Sequence, residues 1–532
     1  MSAEALGKTA PEPGTVTIPG GTGLLLLGLG LATGMEFYTN DSMNLVLPDI
    51  VGTLGVSADQ GSWVLTVYSC ALFLGIPLSI WMAQHYGYKR YLMTTVAVFA
   101  LTSMGCATAP SLEVLLMWRA VQGLAAAGLY VWWRATVYLL LPKAQRSVSL
   151  MRISTMLYLS SAAGLLCSGY ITDRFNWRLM FLPDLLYAAG ALLILARSFP
   201  ALPVETAPRV RETDYPGIAL LAIALVSLQV ILNRGQIDDW FTSPQIRNLT
   251  VLGGAGLAGF LWWEMNPRNR TPLLCLELLA DRRVVSAALI GIFTGMILSG
   301  SLYALPEFLR NVASAPHTAA RTGQIMCIYA LAAAALRPLM VPLVARIGQR
   351  KTIVLALIAL IVSMLMFVRL LTAGTPDTAL VLPLMLYAAC LSPLLPAVGS
   401  GTVAKIEQNK LLDGVSLYMG FRQFGAALGV ALVAILIDRR ESFHSSRLFE
   451  HLGMTSAATR DWLATAASAI VTRDGPSVLQ ARPMALRLLA EAGARQAEVL
   501  AYADAFLFMA AVGVVALCVV PVIPPTPVAR KS

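Results

Sequence analysis

Long apolar segments recur along this chain of 532 residues and limit the folds it can adopt. The first begins at Gly23 and reads GLLLLGLGLATG without a charged residue. A helix of about 20 apolar residues crosses the hydrocarbon core of a bilayer. Only 13% of the residues are charged, against about 25% in a soluble domain. The repeated segments therefore predict an all-α integral membrane protein whose bundle needs no soluble core.

The apolar segments number fourteen, in a six, two and six arrangement. The predicted transmembrane helices are 23–51, 60–84, 89–109, 111–141, 147–172, 178–198, 215–235, 246–265, 284–311, 318–346, 351–372, 377–404, 414–438 and 500–523. The predicted units are a disordered N-terminus (1–22), an N-terminal six-helix bundle (23–198), a linker holding two extra helices (199–283), a C-terminal six-helix bundle (284–525) and a tail (526–532). An outer loop at 439–498 separates the last two spans.

Basic residues cluster in the loops on one side of this topology. They are Lys89, Arg90, Lys143, Arg146, Arg209, Arg211, Arg268, Arg270, Arg282, Arg283, Arg350, Lys351, Lys405 and Lys410. Cytoplasmic loops carry such an excess of Lys and Arg, so both termini are predicted to be cytoplasmic. The same pattern accounts for the net charge of +10 without a nucleic-acid partner.

Cofactor chemistry and catalysis are not expected. The seven cysteines form no CxxC pair, and the four histidines have no metal-ligand spacing. The sequence offers no nucleophile–base pair and no phosphate-binding glycine loop at an accessible site, which argues against an enzyme.

The two six-helix halves resemble each other weakly. GYKRYL after the second span parallels GQRKTI after the tenth, each between the second and third helices of its half. Transporters built from repeated bundles show such internal similarity. The long outer loop carries apolar residues at helical spacing, in RDWLATAASAIV for example. Two interpretations stay open for it: a solvated helical hairpin packed on the bundle, or a docking surface for an extracytoplasmic partner.

Polar residues form a stripe on the first predicted helix. Glu36, Asn40, Asp41 and Asn44 share with Thr33 a sector about 140° wide at the ~3.6-residue helical period. A stripe of this kind is untenable against lipid. Carboxylates at membrane depth line a bundle interior or a watery cavity and are functional candidates.

The fourth predicted helix carries a matching stripe of Arg119, Gln122, Ala126, Tyr130, Trp133 and Arg134. At ~1.5 Å per residue, Asp41 lies about 13 Å and Arg119 about 12 Å from the outer end. A buried arginine is costly unless it is paired. We hypothesise that Asp41 pairs with Arg119 when deprotonated and releases it when protonated; the alternative is a static salt bridge.

Glu36 is deeper, and no basic residue of the fourth span matches its depth. It suits a proton carrier or a binder of a cationic substrate, or else a permanently protonated acid that makes a hydrogen bond. Arg422 and Gln423 are predicted to serve the second bundle as Arg119 and Gln122 serve the first. The aromatic residues Tyr68, Tyr130, Trp132 and Trp133 are predicted to line a pocket, with ordinary packing as the alternative.

One further ionisable pair and two single ionisable residues lie in the predicted helices. Glu307 and Arg310, three residues apart, are predicted to form a local pair, and Arg337 is predicted to extend towards the inner interface. Asp184 lies one to two turns into the sixth span.

Several motifs, in order and on corresponding helices, carry a family resemblance. NDSMNLVLPDI ends the first span, SWVLTVY lies in the second, RAVQGLAAAG in the fourth and FRQFGAALG in the thirteenth. Together they resemble the fourteen-helix drug:proton antiporters of the major facilitator superfamily, the EmrB/QacA type, over nearly the whole chain. The conformational loop of that family keeps Gly87, Lys89 and Arg90 here, but Ile80 and Gln84 replace its usual Gly and Asp. Asp184 stands where the family usually has Asn, and Glu36 is an acid beyond the family motif.

The resemblance implies a multi-pass protein of the bacterial inner membrane that exports amphipathic or hydrophobic compounds, multidrug in range, in exchange for protons. Two bundles would rock around a central cavity while Asp41 and Glu36 change protonation. It also implies a periplasmic adaptor protein and an outer-membrane channel as partners. One alternative is export of a single anionic or lipid-like compound, such as a siderophore or fatty acid, bound by Arg119, Arg134 and Arg422. Another is a membrane scaffold or sensor that does not transport.

Overall fold

The computed structural model describes residues 18–200, 214–269, 273, 276–312, 317–403, 411–451, 457–474 and 478–522. Most of the predicted N-terminal segment and the predicted tail (526–532) lie outside the described residues. The described ranges contain fifteen α-helices. They are α1 Gly21–Leu54, α2 Ala58–Tyr86, α3 Tyr88–Ala107, α4 Leu112–Leu140, α5 Lys143–Arg174, α6 Leu182–Ser198, α7 Tyr215–Arg234, α8 Pro244–Glu264, α9 Arg282–Glu307, α10 Ala319–Ile347, α11 Gln349–Leu370, α12 Asp377–Val403, α13 Leu411–His451, α14 Ala457–Asp474 and α15 Val478–Val519.

Eleven of the described helices are long and apolar enough to cross a membrane by length and composition. Helices α1, α3 and α8 occupy the other three predicted spans but are not among the eleven, and each contains charged residues. The prediction of an all-helical membrane protein is therefore confirmed, whereas the number of fourteen crossings stays a prediction.

The helices pack in two groups that meet along α5 and α10. In the N-terminal half, α1 packs against α5 and α6, and α4 against α2 and α3. In the C-terminal half, α13 packs against α9 and α15, and α12 against α10 and α11. Helices α7 and α8 form a pair that reaches the bundle through α2. The end of the molecule at which α1 finishes, predicted to be extracytoplasmic, is called the outer end below.

The segment predicted as an outer loop is helical over its described residues. Helix α13 has 41 residues and α15 has 42, about 60 Å each at ~1.5 Å per residue. That is twice the ~30 Å hydrocarbon core, so both helices extend well beyond a bilayer. Helix α14 packs on α15, and Asp504 of α15 accepts hydrogen bonds from Arg440 and His444 of α13. Both helices continue without a break past 438 and 500, and the predicted membrane ends at those residues stay predictions.

Glycines allow the closest helix contacts in the C-terminal half. A methyl group added to Gly425 of α13 would overlap the backbone carbonyl of Ile292 in α9, whereas one added to Gly420 meets nothing within 4 Å. We expect Gly425→Ala to destabilise the protein by about 1–3 kcal/mol through overpacking. Thermal unfolding of the purified protein measures this, with Gly420→Ala on the same helix as the matched control. Equal melting temperatures for the two variants would contradict the packing argument.

Ionic contacts join the two halves at the outer end. Arg310 donates to the Asp49 carboxylate at 2.8 Å and to the Leu45 carbonyl at 2.7 Å. The Asp173 carboxylate accepts from the backbone N–H groups of Ala319 and Ala320 at the start of α10. The predicted local ion pair of Arg310 with Glu307 is wrong: Arg310 lies in a π-helical turn, Phe308–Val312, and forms its ion pair with Asp49 of α1.

We expect Arg310→Gln to raise the population of molecules that are open at the outer end. The pair is partly exposed, so its loss is worth about 1 kcal/mol, roughly a fivefold shift. Distance measurements between one spin label on the outer end of each half report the change. Arg321→Gln is the control, because Arg321 pairs with Asp377 within the C-terminal half. If both variants open equally, the Arg310 contact does not hold the halves together.

Candidate functional site

A cavity of about 160 Å³ lies between the two halves. The N-terminal half contributes α1, α4 and α5 and one residue of α2 to the cavity wall. The C-terminal half contributes α9, α10, α12 and α13. The lining includes two acids, three arginines and several aromatic and amide side chains: Glu36, Asn40, Asp41, Tyr130, Trp133, Arg134, Tyr158, Tyr329, Arg337, Tyr387, Arg422 and Gln423. The wall is thus charged and aromatic at once, which suits amphipathic molecules.

The two acids on α1 face the cavity in different surroundings. Glu36 is buried, and its Oε1 accepts a hydrogen bond of 3.5 Å from the hydroxyl of Tyr68 in α2. Asp41 Oδ2 accepts from the hydroxyls of Ser161 in α5 and Tyr329 in α10, the latter at 3.1 Å. Asp41 therefore bridges the two halves by hydrogen bonds, whereas Glu36 accepts its hydrogen bond from the N-terminal half and faces the charge of Arg422 in the C-terminal half.

Arg119 does not pair with Asp41 in this structure. Arg119 is fully buried; it donates to Gln122 Oε1 at 2.6 Å, and its guanidinium lies 4.0 Å from the centre of the Tyr68 ring. Both side chains are described, and no ion pair joins them. The predicted depths are compatible, but Arg119 faces α2 and α3, and Asp41 faces α5 and α10. The pair is absent from this conformation, and its formation when Asp41 is deprotonated stays a prediction.

Three arginines line the cavity instead. Arg134 lies 4.6 Å from the Trp133 ring centre and 3.6 Å from the sulfur of Met419. Arg337 donates to the carbonyls of Leu391 and Ser392, so its predicted extension towards the interface is wrong.

Arg422 is the least restrained of the three cavity arginines. It lies 5.3 Å from the centre of the Tyr130 ring, and its Nε has no hydrogen-bond partner. Among the described residues, none of the three cavity arginines forms an ion pair. Cationic groups in this cavity are therefore available to a ligand.

The structure brings most of the predicted cavity residues together. Asn40, Tyr130, Trp133, Arg134, Arg422 and Gln423 line the cavity. Tyr68 and Gln122 lie inside the N-terminal bundle, and Asn44 is half-buried outside the cavity lining. The sequence reasoning missed Arg337 as a cavity residue, although its place as the one charge within LAAAALRPLM was a usable signal.

The predicted conformational loop lies at the inner ends of α2 and α3. Gly87 joins these helices with a φ of 88°, a left-handed value that glycine adopts without strain. Gly348, at the corresponding turn of the second half, has a φ of 83°. Lys89 donates to the carbonyls of Ala196 and Phe199 at the end of α6, and Arg90 is exposed. Lys89 thus ties α3 to α6 within one bundle.

Comparison with known proteins finds a family and its relatives. The family model described as Major Facilitator Superfamily matches residues 29–314 and 287–445. The multidrug export protein EmrB of Escherichia coli K12 is 26% identical over 459 residues, which is 83% of this chain and 88% of that protein. The fatty acid resistance protein FarB of Neisseria gonorrhoeae is 26% identical over 439 residues, covering 82% and 84%. A crystal structure of a peptide transporter POT in complex with sulfate superposes with a TM-score of 0.61 at 14% identity, covering 98% and 99%, and shows the same fold.

Proposed function

This chain belongs to the major facilitator superfamily, and on that premise we propose that it is a proton-coupled exporter of amphipathic or hydrophobic compounds. It is a multi-pass membrane transporter related to EmrB-type and FarB-type efflux proteins, and not an enzyme. Export in exchange for protons, with a broad range of compounds, is the proposal.

The observation that carries the proposal is the pair of acids in a cavity between the two halves. Asp41 accepts hydrogen bonds from both halves, so adding a proton to its carboxylate changes what holds the halves together at that point. Glu36 lies in the same cavity wall, where a bound cation or a bound proton neutralises it. Protons and substrate thereby bind in the same cavity and shift the same equilibrium between two arrangements of the halves, as exchange requires.

Everted membrane vesicles with an imposed pH gradient test the proposal. A fluorescent amphipathic compound should accumulate inside vesicles that contain the protein, and collapsing the gradient with an ionophore should release it. Vesicles without the protein are the control. Failure of every amphipathic compound tested to accumulate would favour the scaffold or sensor alternative.

Export of an acidic amphiphile is a second candidate, because three arginines without ion-pair partners line the cavity. Arg119 takes no part, since it lies inside the N-terminal bundle. The name of the relative FarB, a fatty acid resistance protein, points the same way. The vesicle assay separates the two candidates. If a fatty acid is the only compound that accumulates, the protein exports acidic amphiphiles. If neutral and cationic dyes accumulate, it exports a broad range of compounds.

For the helices beyond the outer end we propose a periplasmic adaptor protein as partner, and through it an outer-membrane channel. Large apolar side chains are exposed there, among them Phe443, Trp462 and Leu488. Deleting residues 457–474 should abolish the resistance of whole cells to an exported compound and leave transport of that compound in vesicles unchanged. Undiminished resistance in cells would rule out this docking site.

A further inference from the structure

Asp184 is a fully buried acid near the outer end of the N-terminal half. The chain is helical from Trp177 onwards, which places Asp184 about 10 Å from the start of that helical stretch at ~1.5 Å per residue. Its Oδ2 accepts hydrogen bonds of 2.7 Å from Thr39 and from Ser103. Its Oδ1 is buried without a partner. Burying an ionised carboxylate that has one oxygen without a hydrogen bond costs much free energy. Burying the protonated acid costs much less.

A chain of hydrogen bonds leads from Asp184 to Arg119. Ser103 Oγ accepts from Gln122 Nε2 at 2.8 Å, and Gln122 Oε1 accepts from Arg119 Nη1 at 2.6 Å. The other terminal nitrogen of Arg119, Nη2, is buried without a partner. Asp184 is therefore linked to the arginine only through two intervening side chains.

The same arginine also reaches towards Glu36. The Arg119 guanidinium stacks on Tyr68, whose hydroxyl donates to Glu36. Both acids are thus connected through side chains to one guanidinium, in a cluster built by the first, second, third, fourth and sixth helices of the N-terminal half.

Only one cation faces the Asp184 carboxylate among the described residues. The titratable groups that face Asp184 from the packed helices, and from its own, are Arg119, Tyr38, Tyr68, Cys106 and Tyr187. Phenols and thiols are neutral at physiological pH, so Arg119 is the one cation among these neighbours. Glu36 also faces Arg422 of the C-terminal half and Asp41, whereas Asp184 has only the distant Arg119 among the described residues. A bound proton therefore removes a carboxylate charge that has no direct ion-pair partner in a dry interior.

We propose that Asp184 is a proton-binding site of the transport cycle, reached from the outer end and coupled to Glu36 through the shared Arg119. The proposal rests on the proposed proton-coupled export. A proton from the outer side converts the Asp184 carboxylate to the acid. Arg119 then compensates Glu36 together with Arg422, and Glu36 releases its own proton from the acid form into the cavity. One proton is bound and one is released, so the net charge of the cluster does not change.

Infrared difference spectroscopy on the purified full-length protein tests the site without any substrate. Between acidic and alkaline buffer, the wild type should show a pH-dependent carbonyl band of a protonated carboxyl group that is lost in Asp184→Asn. Asn keeps an oxygen acceptor for Thr39 and Ser103, and Asp461→Asn, at an exposed acid of α14, is the control. An unchanged spectrum for Asp184→Asn overturns the proposal, as does a band that does not respond to pH.

Two milder variants keep the carboxyl and give an independent readout. Thr39→Val and Ser103→Ala each remove one hydrogen bond from Oδ2, so each should shift the frequency of the same band. If neither variant shifts it, the band does not belong to Asp184 and the proposal fails, even if Asp184→Asn does not fold.

Transport measurements separate this proposal from the proposed function. In proteoliposomes, Asp184→Asn should lower the number of protons exchanged per substrate molecule, and Asp461→Asn should leave it unchanged. An unaltered ratio overturns the role of Asp184 in transport. If the wild type transports nothing but shows the pH-dependent band, the proposed export fails and the transport part of this proposal fails with it, whereas the proton site stands.

Discussion

Asp41→Asn is expected to abolish uphill export driven by a pH gradient while substrate exchange without a gradient continues. The asparagine oxygen still accepts from Ser161 and Tyr329, so the bridge between the halves survives. The amide does not bind and release a proton near neutral pH, so the step that couples protons to the bridge is lost. Everted vesicles measure both activities, with accumulation under a gradient and counterflow without one.

The controls for Asp41 lie in its own hydrogen-bond partners and in a distant acid. Tyr329→Phe removes one hydrogen bond to a carboxylate, worth about 1.5–3 kcal/mol, and should slow export about tenfold or more without uncoupling it. Asp461→Asn should have no effect. Unimpaired gradient-driven accumulation in Asp41→Asn would remove this residue from proton coupling.

Arg422→Gln is expected to weaken binding of an acidic amphiphile far more than binding of a neutral one. Its guanidinium borders the cavity, its Nε has no hydrogen-bond partner among the described residues, and Glu36 is the acid whose charge acts on it. A charge-assisted hydrogen bond to a ligand carboxylate is worth about 1.5–3 kcal/mol, so the dissociation constant should rise about 10- to 100-fold. Fluorescence or calorimetric titration with a fatty acid measures it.

A matched control for Arg422 exists on the same helix. Arg439 is exposed and lies outside the cavity lining, and Arg439→Gln should leave the dissociation constant unchanged. Arg422→Lys keeps the charge but not the paired donors, and should show an intermediate loss. If Arg422→Gln weakens acidic and neutral ligands equally, the arginine shapes the cavity and does not recognise an anion.

The helical periodicity of the sequence predicted the membrane fold and many of the residues that line the cavity. Apolar segments at helical spacing placed the helices, because lipid accepts only a backbone that satisfies its own hydrogen bonds. The polar face of the first helix placed Glu36, Asn40 and Asp41, since charge at membrane depth has to face inwards. Arg134 and Arg422 were found in the same way.

Which side chains meet was decided by the tertiary structure. Depth along a helix follows from the residue count, but the rotation of one helix against the next does not, because it depends on packing between segments far apart in sequence. Arg119 therefore matched Asp41 in depth and still faces Gln122 and Tyr68. The π-helical turn that contains Arg310, and the ion pair of Arg310 with Asp49, could not be predicted from the pattern of apolar residues.

The sequence alone determined that this chain is a helical membrane protein with inward-facing acids and arginines, because the cost of polar groups in lipid acts on each helix separately. Only the tertiary structure decided that Asp41 bridges the two halves, and that Arg119 stands between Glu36 and Asp184. Those contacts join three or more helices, and their geometry arises when the helices pack together.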